Sequence, residues 1–241
     1  MTVSPPALRA IITGASSGIG RATAIAFAQA GIGVALVGRS QDKLAAVKAT
    51  IEQAGGTVKT YTVDLSELSQ TQRALAAIAA DFSPIDILVN SAGMGYTNPL
   101  SQTSLKDWQQ VLDLNLTSVF QGTLGVLPAL RDRQGSIINV ASIAASSAFP
   151  DWGAYSVSKA GLVAFSKTLA VEERSHGIRV MIISPGAVAT PLWDSDTVQA
   201  NLDRSAMLTP EAVAQAIVQA VLLPRCAVVE QMTLLPSAGA L

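Results

Sequence analysis

Seven short β-like runs alternate with segments of helical periodicity along this chain, and no other feature narrows its possible folds so far. The runs cover residues 10–13, 33–37, 58–63, 85–90, 136–140, 179–183 and 227–234. Most are continuous rather than alternating in polarity, the pattern of strands covered on both faces. Helical segments lie between them at 19–30, 41–54, 67–80, 104–130, 154–174 and 210–222. The last opens Thr209-Pro210-Glu211: a capping hydroxyl, a proline at the first helical position and an acid in the first turn. This alternation predicts an α/β, Rossmann-like doubly wound fold, with a parallel sheet of about seven strands flanked by helices. No linker or internal repeat interrupts it, so residues 1–241 read as one domain. Only residues 189–208 lack periodicity, and a loop of that length is expected to serve as a substrate lid.

The composition narrows the function classes. Hydrophobic residues make up 49% of the chain and charged residues 14%, which supplies a large core but little polar cover for the surface. Some apolar surface is therefore expected to be buried in a homodimer or homotetramer. A net charge of -1 without a basic cluster argues against nucleic acid or an anionic membrane as partner. Polar residues break every apolar stretch before it reaches about eighteen residues, so no membrane span is expected. Residues 1–8 contain two prolines and no apolar core, unlike a signal peptide. The single Cys226 excludes an internal disulfide and fits a reducing, cytoplasmic setting. One Cys and one His cannot build a usual zinc centre, so no metal site is expected. His176 reads as a polar residue where a helix ends.

Gly14, Gly18 and Gly20 follow the first strand and lead into the first helix. Glycine lets the chain turn tightly and lets backbone amides approach a pyrophosphate, while the helix start offers free N–H groups and partial positive charge. About twenty residues on, at the end of the second strand, a dinucleotide fold chooses its cofactor. An acid there would bind a ribose 2′-hydroxyl. This chain has Gly38-Arg39-Ser40 instead, with no carboxylate before Asp42. Arg39 can pair with a 2′-phosphate and Ser40 can add a hydroxyl, so NADP(H) is expected over NAD(H). Further along, Tyr155 and Lys159 stand four apart on one helical stretch, with Ser142 thirteen positions before the tyrosine. Residues at that spacing share a helix face, and a lysine charge beside a phenol favours the phenolate.

Together these elements resemble the short-chain dehydrogenase/reductase family over almost the whole chain, in its non-extended form. The resemblance is carried by residues 13–20, Asp64, Asn90-Ser91-Ala92-Gly93, Asn115, Ser142, Tyr155 with Lys159, and Pro185-Gly186 followed by Thr190. Ser91 departs from the family's more frequent Asn. The resemblance implies that Gly14, Ser16, Ser17, Gly18, Ile19 and Gly20 cradle the phosphates. It implies that Asp64 and Leu65 flank the adenine, that Asn90, Ala92 and Gly93 line the cleft, and that Pro185, Gly186, Val188 and Thr190 embrace the nicotinamide. Tyr155 would be general acid and base, Lys159 would lower its pKa and hold the ribose hydroxyls, and Ser142 would polarise the carbonyl. Asn115 would kink its helix and support a water leading from Lys159 to solvent.

The expected substrate is a small carbonyl compound or its alcohol. Met94, Ile143, Phe149, Trp152 and Trp193 hint at an apolar one, though each suits ordinary packing equally well, and Arg204 leaves room for an acidic one. The leading expectation is an NADPH-dependent ketone reductase. A 3-oxoacyl-[acyl-carrier-protein] reductase is an alternative, less favoured because residues 228–236 do not resemble the strand and Gly-Gly turn usual near the end of those family members. A non-catalytic NADP-binding sensor is a third, disfavoured by a proton donor it would not need. Ala160, Gly161 and Ala164 are small enough for close packing against a second copy.

Overall fold

Seven parallel strands form, one from each apolar run, and pair in the order β3-β2-β1-β4-β5-β6-β7. The structure, a computed structural model, describes residues 8–200, 202–237 and 239. Most of residues 1–8, read above as no signal peptide, lie outside the described part. In chain order the elements are β1 (Arg9–Thr13), α1 (Gly18–Gln29), β2 (Gly33–Gly38), α2 (Gln41–Gln53), β3 (Val58–Thr62), α3 (Leu68–Asp81), β4 (Ile87–Asn90), α4 (Leu105–Leu112), α5 (Ser118–Arg133), β5 (Ser136–Val140), α6 (Gly153–Glu172), β6 (Arg179–Pro185), α7 (Pro210–Val221) and β7 (Gln231–Leu234).

The faces of the sheet are separated by single-residue alternation. Ile12 packs with Phe27, Leu44 and Ile217 of α1, α2 and α7. Its neighbour Ile11 packs on the other side with Leu75, Leu130 and Leu169 of α3, α5 and α6. Both isoleucines are fully buried, as the unbroken apolar runs require. Each such side chain contributes about 1.5–3 kcal/mol. After β1 the chain moves outward to β2 and β3, and after β4 outward the other way to β5, β6 and β7. The loops leaving β1 and β4 therefore diverge and open a crevice at the carboxyl ends of the strands.

The helix expected over 104–130 is interrupted. A π-helical turn, Asp113–Thr117, separates α4 from α5. The fully buried Asn115 lies in it, and its amide reaches the backbone of Met94 and the Ser158 hydroxyl. A buried amide must be satisfied, and three bonds between elements outweigh one regular helical turn. The last strand is shorter than its apolar run because the Arg179 guanidinium takes the carbonyls of Val221, Leu223 and Ala227. Val221 and Leu223 lie at the end of α7, and Ala227 lies in the loop before β7. β4 also starts late: the buried Asp86 accepts from the Arg9 amide at 3.0 Å and Arg133 Nε at 3.0 Å. Residues 189–208 carry two short 3-10 turns, Pro191–Asp194 and Arg204–Ala206. Among the described residues, no helix is long and apolar enough to cross a membrane, and no three His, Cys, Asp or Glu side chains gather.

The oligomer expectation needs one correction. A side chain at Gly161 would press on Leu116 Cδ2 at 2.8 Å, so this glycine lets α6 approach the π turn inside the chain. Ala160 and Ala164 are exposed.

Candidate active site

The crevice is a cleft of about 420 Å³, within the range that holds small ligands. Gly14, Ser16, Ser17, Gly18 and Ile19 form one side of it. Gly14 has φ +67, and a Cβ there would meet the Ala92 backbone at 2.8 Å. Only glycine lets the loops after β1 and β4 come this close. Gly20 lies beneath the loop and does not line the cleft. Helices α2, α4 and α7 are capped by the side chains of Ser40, Ser104 and Thr209. Helix α1 has no side-chain cap and no acid in its first turn. Its free amides suit a phosphate.

Arg39 lines the cleft and is exposed. Ser40, expected beside it as a phosphate ligand, accepts from Lys43 N at 3.4 Å as the cap of α2, which leaves its hydroxyl proton to donate. Leu65 lines the cleft, but Asp64 does not. The Asp64 carboxylate accepts from Ser66 N at 2.9 Å and Ser66 Oγ at 2.7 Å. Burial raises its pKa, but the two bonds and the nearby Arg39 outweigh it and hold the carboxyl below its ordinary range.

Ala92 and Gly93 line the cleft, as expected. Asn90 does not. Its amide turns inward to Asn139 Oδ1 at 2.8 Å and Thr123 Oγ1 at 3.3 Å, joining β4 to β5 and α5. Thr13 was not singled out in the sequence, yet its hydroxyl accepts from Ser91 N and Ala92 N at 3.1 and 3.2 Å. It ties the two diverging loops together. A hydroxyl ending an apolar strand is the signal that could have found it. Pro185, Gly186, Val188 and Thr190 line the far wall, and Thr190 Cγ2 would sit 3.1 Å from a Cβ at Gly18.

Ser142, Tyr155 and Lys159 face the cleft together. Ser142 follows β5 and accepts from Ala144 N at 3.1 Å. Tyr155 and Lys159 occupy the first turns of α6, with Lys159 Nζ donating to the Val140 carbonyl at 2.9 Å. The ammonium stands 5.7 Å from the centre of the Tyr155 ring. Asn115 does not reach the cleft. Its Oδ1 accepts from Met94 N at 2.8 Å, and its Nδ2 donates to Met94 O at 2.9 Å and Ser158 Oγ at 3.0 Å. It thereby fixes the loop after β4 against α6.

The electrostatic balance differs from the expectation. Burial pushes the Tyr155 phenol above its ordinary range, and the Ser142 hydroxyl pulls it only partly back. Burial also brings Lys159 down to about 8. Desolvation disfavours both charged forms. With its folded pKa below the unfolded value, Lys159 makes the unfolded chain bind more protons between about 8 and 10.5. Stability therefore rises with pH through that window, and the full cost is present below it. Relative to wild type, Lys159→Met should gain about 2 kcal/mol between about pH 9.5 and pH 7. Urea melts of both proteins at the two pH values check this. A difference independent of pH would show that Lys159 is not the group responsible.

A family model described as short chain dehydrogenase matches residues 9–201. A 3-oxoacyl-[acyl-carrier-protein] reductase of Synechocystis is 39% identical over 189 residues, 77% of this chain and 76% of that relative. Sepiapterin reductase of Chlorobaculum tepidum is 34% identical over 240 residues, 95% of this chain and 96% of its own. Among solved structures, L-sorbose reductase from Gluconobacter frateurii, complexed with NADPH and L-sorbose, superposes with a TM-score of 0.86. It is 30% identical, covering 99% of this chain and 98% of its own.

Proposed function

The chain belongs to the short-chain dehydrogenase/reductase family of oxidoreductases, and on that premise we propose that it reduces a ketone or other carbonyl compound with NADPH, reversibly. One observation carries the reading: Ser142, Tyr155 and Lys159 face the same cleft as the glycine loop and Arg39. The open start of α1 and the loop amides hold the pyrophosphate, and Arg39 pairs with the 2′-phosphate. Leu65 lies against the adenine, while Pro185, Gly186, Val188 and Thr190 bound the nicotinamide. NADPH in this cleft supplies the hydride.

Tyr155 Oη gives its proton to the carbonyl oxygen as charge builds there. Its raised pKa keeps that proton in place at neutral pH. Ser142 Oγ donates to the same oxygen. Lys159 holds ribose hydroxyls, and its ammonium form stabilises the phenolate left behind. Asn115 positions this machinery through Met94 and Ser158. Residues 189–208 act as the lid of a single catalytic domain. The exposed Phe120 and Val157, with the exposed Ala160 three residues after Val157, support a homodimer or homotetramer, and sedimentation measures which. The lone exposed Cys226 fits a cytoplasmic enzyme.

A second reading, 3-oxoacyl-[acyl-carrier-protein] reductase, is favoured by the Synechocystis relative. NADPH oxidation against simple ketones, 3-oxo esters and an acyl-carrier substrate separates the two. Tight NADPH binding without turnover of any of them would refute both.

Arg39→Ala tests the cofactor choice. Loss of a charge-assisted phosphate contact should weaken NADPH by on the order of 10–100-fold while NADH changes little. Equal losses for both cofactors, measured by fluorescence titration, would remove Arg39 from that role.

A further inference from the structure

We infer that Trp152 is a specificity-determining residue which, with Trp193, fits the cleft to uncharged carbonyl compounds bearing a flat apolar group, an aryl ketone being the simplest. This rests on the carbonyl-reductase reading above. The Trp152 indole meets the Tyr155 ring edge-on, with centres 5.2 Å apart and planes at 71°. It meets Trp193 similarly, at 5.6 Å and 68°. Both tryptophans line the cleft, so three rings make one aromatic wall beginning at Tyr155 itself. Edge-to-face contact is the arrangement such rings prefer, and it leaves them rigid.

The wall is aimed by the backbone. Asp151, immediately before Trp152, has φ +67, a left-handed conformation rare outside glycine. Such a residue persists where its surroundings over-determine it. The Asp151 carbonyl accepts from Asn98 N at 2.8 Å, and Trp152 N donates to Phe149 O at 3.3 Å. Trp193 is fixed through its Nε1, which donates to the Val188 carbonyl at 2.7 Å. The segment after Trp193 is clasped to the loop after β4. Thr197 Oγ1 donates to Gly95 O at 2.7 Å, Thr97 N to Thr197 O at 2.9 Å, and Gln199 N to Thr97 Oγ1 at 2.7 Å. Asn98 and the clasp thus hold both tryptophans before any substrate arrives, which lowers the ordering cost of binding.

Charge gives the same answer. Of the described residues lining the cleft, only Arg39 and Lys159 are charged, and none is a carboxylate. Arg39 stands with the glycine loop, and Lys159 is tied to Val140 O. Arg204 is exposed and bound through both terminal nitrogens to Asp194, at 2.7 and 3.2 Å. A carboxylate substrate would leave water for a wall of rings with no cation free to meet it.

The test measures kcat/KM with NADPH for acetophenone, butanone and acetoacetate, in wild type, Trp152→Ala and Trp152→Phe. Wild type should prefer acetophenone to acetoacetate. Trp152→Ala should lose on the order of 10–100-fold on acetophenone, chiefly through KM, and little on butanone. Trp152→Phe should recover most of the loss. Equal losses on both ketones, or acetoacetate used as well as acetophenone, would overturn the inference. Failure of every carbonyl compound would instead strike the reductase reading. The wall is then judged by calorimetric binding of acetophenone to NADPH-loaded Tyr155→Phe protein, with and without Trp152→Ala. Saturable binding that the second substitution removes supports the wall, and no binding, or binding it leaves intact, overturns it.

Discussion

Tyr155→Phe should lower kcat by on the order of 10²–10⁴-fold, the usual weight of a positioned general acid, while leaving NADPH binding nearly intact. The substitution removes one oxygen. The ring that packs edge-on against Trp152 at 5.2 Å stays, and so does the bond from Lys159 Nζ to the Val140 carbonyl. Fold and cofactor cleft therefore have no reason to change. On the proposed reading the lost group is the proton donor at the carbonyl oxygen, which an exposed solvent path would not readily replace in a cleft walled by Trp152 and Trp193. Steady-state turnover and an NADPH titration on the same preparation separate the two effects. Undiminished turnover would end the assignment of Tyr155 as acid. A matching loss of NADPH affinity would make it a binding residue instead.

Asn115→Leu should destabilise the protein by about 2–5 kcal/mol and impair turnover together. Leucine has the same branching and number of side-chain heavy atoms, is bulkier, and makes none of the three hydrogen bonds. Met94 N and O and Ser158 Oγ each lose their Asn115 partner in a part-buried or buried setting. Ser158 keeps its donation to Tyr155 O at 2.7 Å, so α6 itself should survive. The loop after β4 should not keep its place, because Asn115 is what grips the Met94 backbone from both sides. Chemical denaturation measures the stability, and kcat in the folded population measures the coupling. A variant as stable as wild type would show that water satisfies these groups well enough.

Parts of this site were plain in the sequence, and their reasons are local. The glycine loop lies between an apolar run and a helical stretch, so the turn that Gly14 makes at φ +67 was legible from seven consecutive residues. Tyr155 and Lys159 share a face because four residues span about one helical turn. Other candidate residues have partners within the fold that the sequence did not show. Ser40 had a nearer duty as the cap of α2, and Asp64 turned to Ser66 two residues away. Asn90 is a strand residue whose side chain points into the packed layer beneath the sheet, where Asn139 and Thr123 satisfy it. Each of these polar groups has a partner within the fold, and sequence position alone does not rank such partners.

The sequence by itself determined the alternation of strand and helix, the parallel sheet with its crevice, the phosphate loop, and the pairing of tyrosine with lysine. All are encoded within a turn or a strand, where covalent spacing sets geometry. The tertiary structure alone decided the charge balance at Tyr155 and Lys159, because burial is a property of everything packed around a group. It alone turned scattered aromatics into a wall, through contacts such as Thr97 with Gln199 that join residues 102 positions apart. Such contacts leave no periodic trace in the chain, because each is fixed by how distant elements pack.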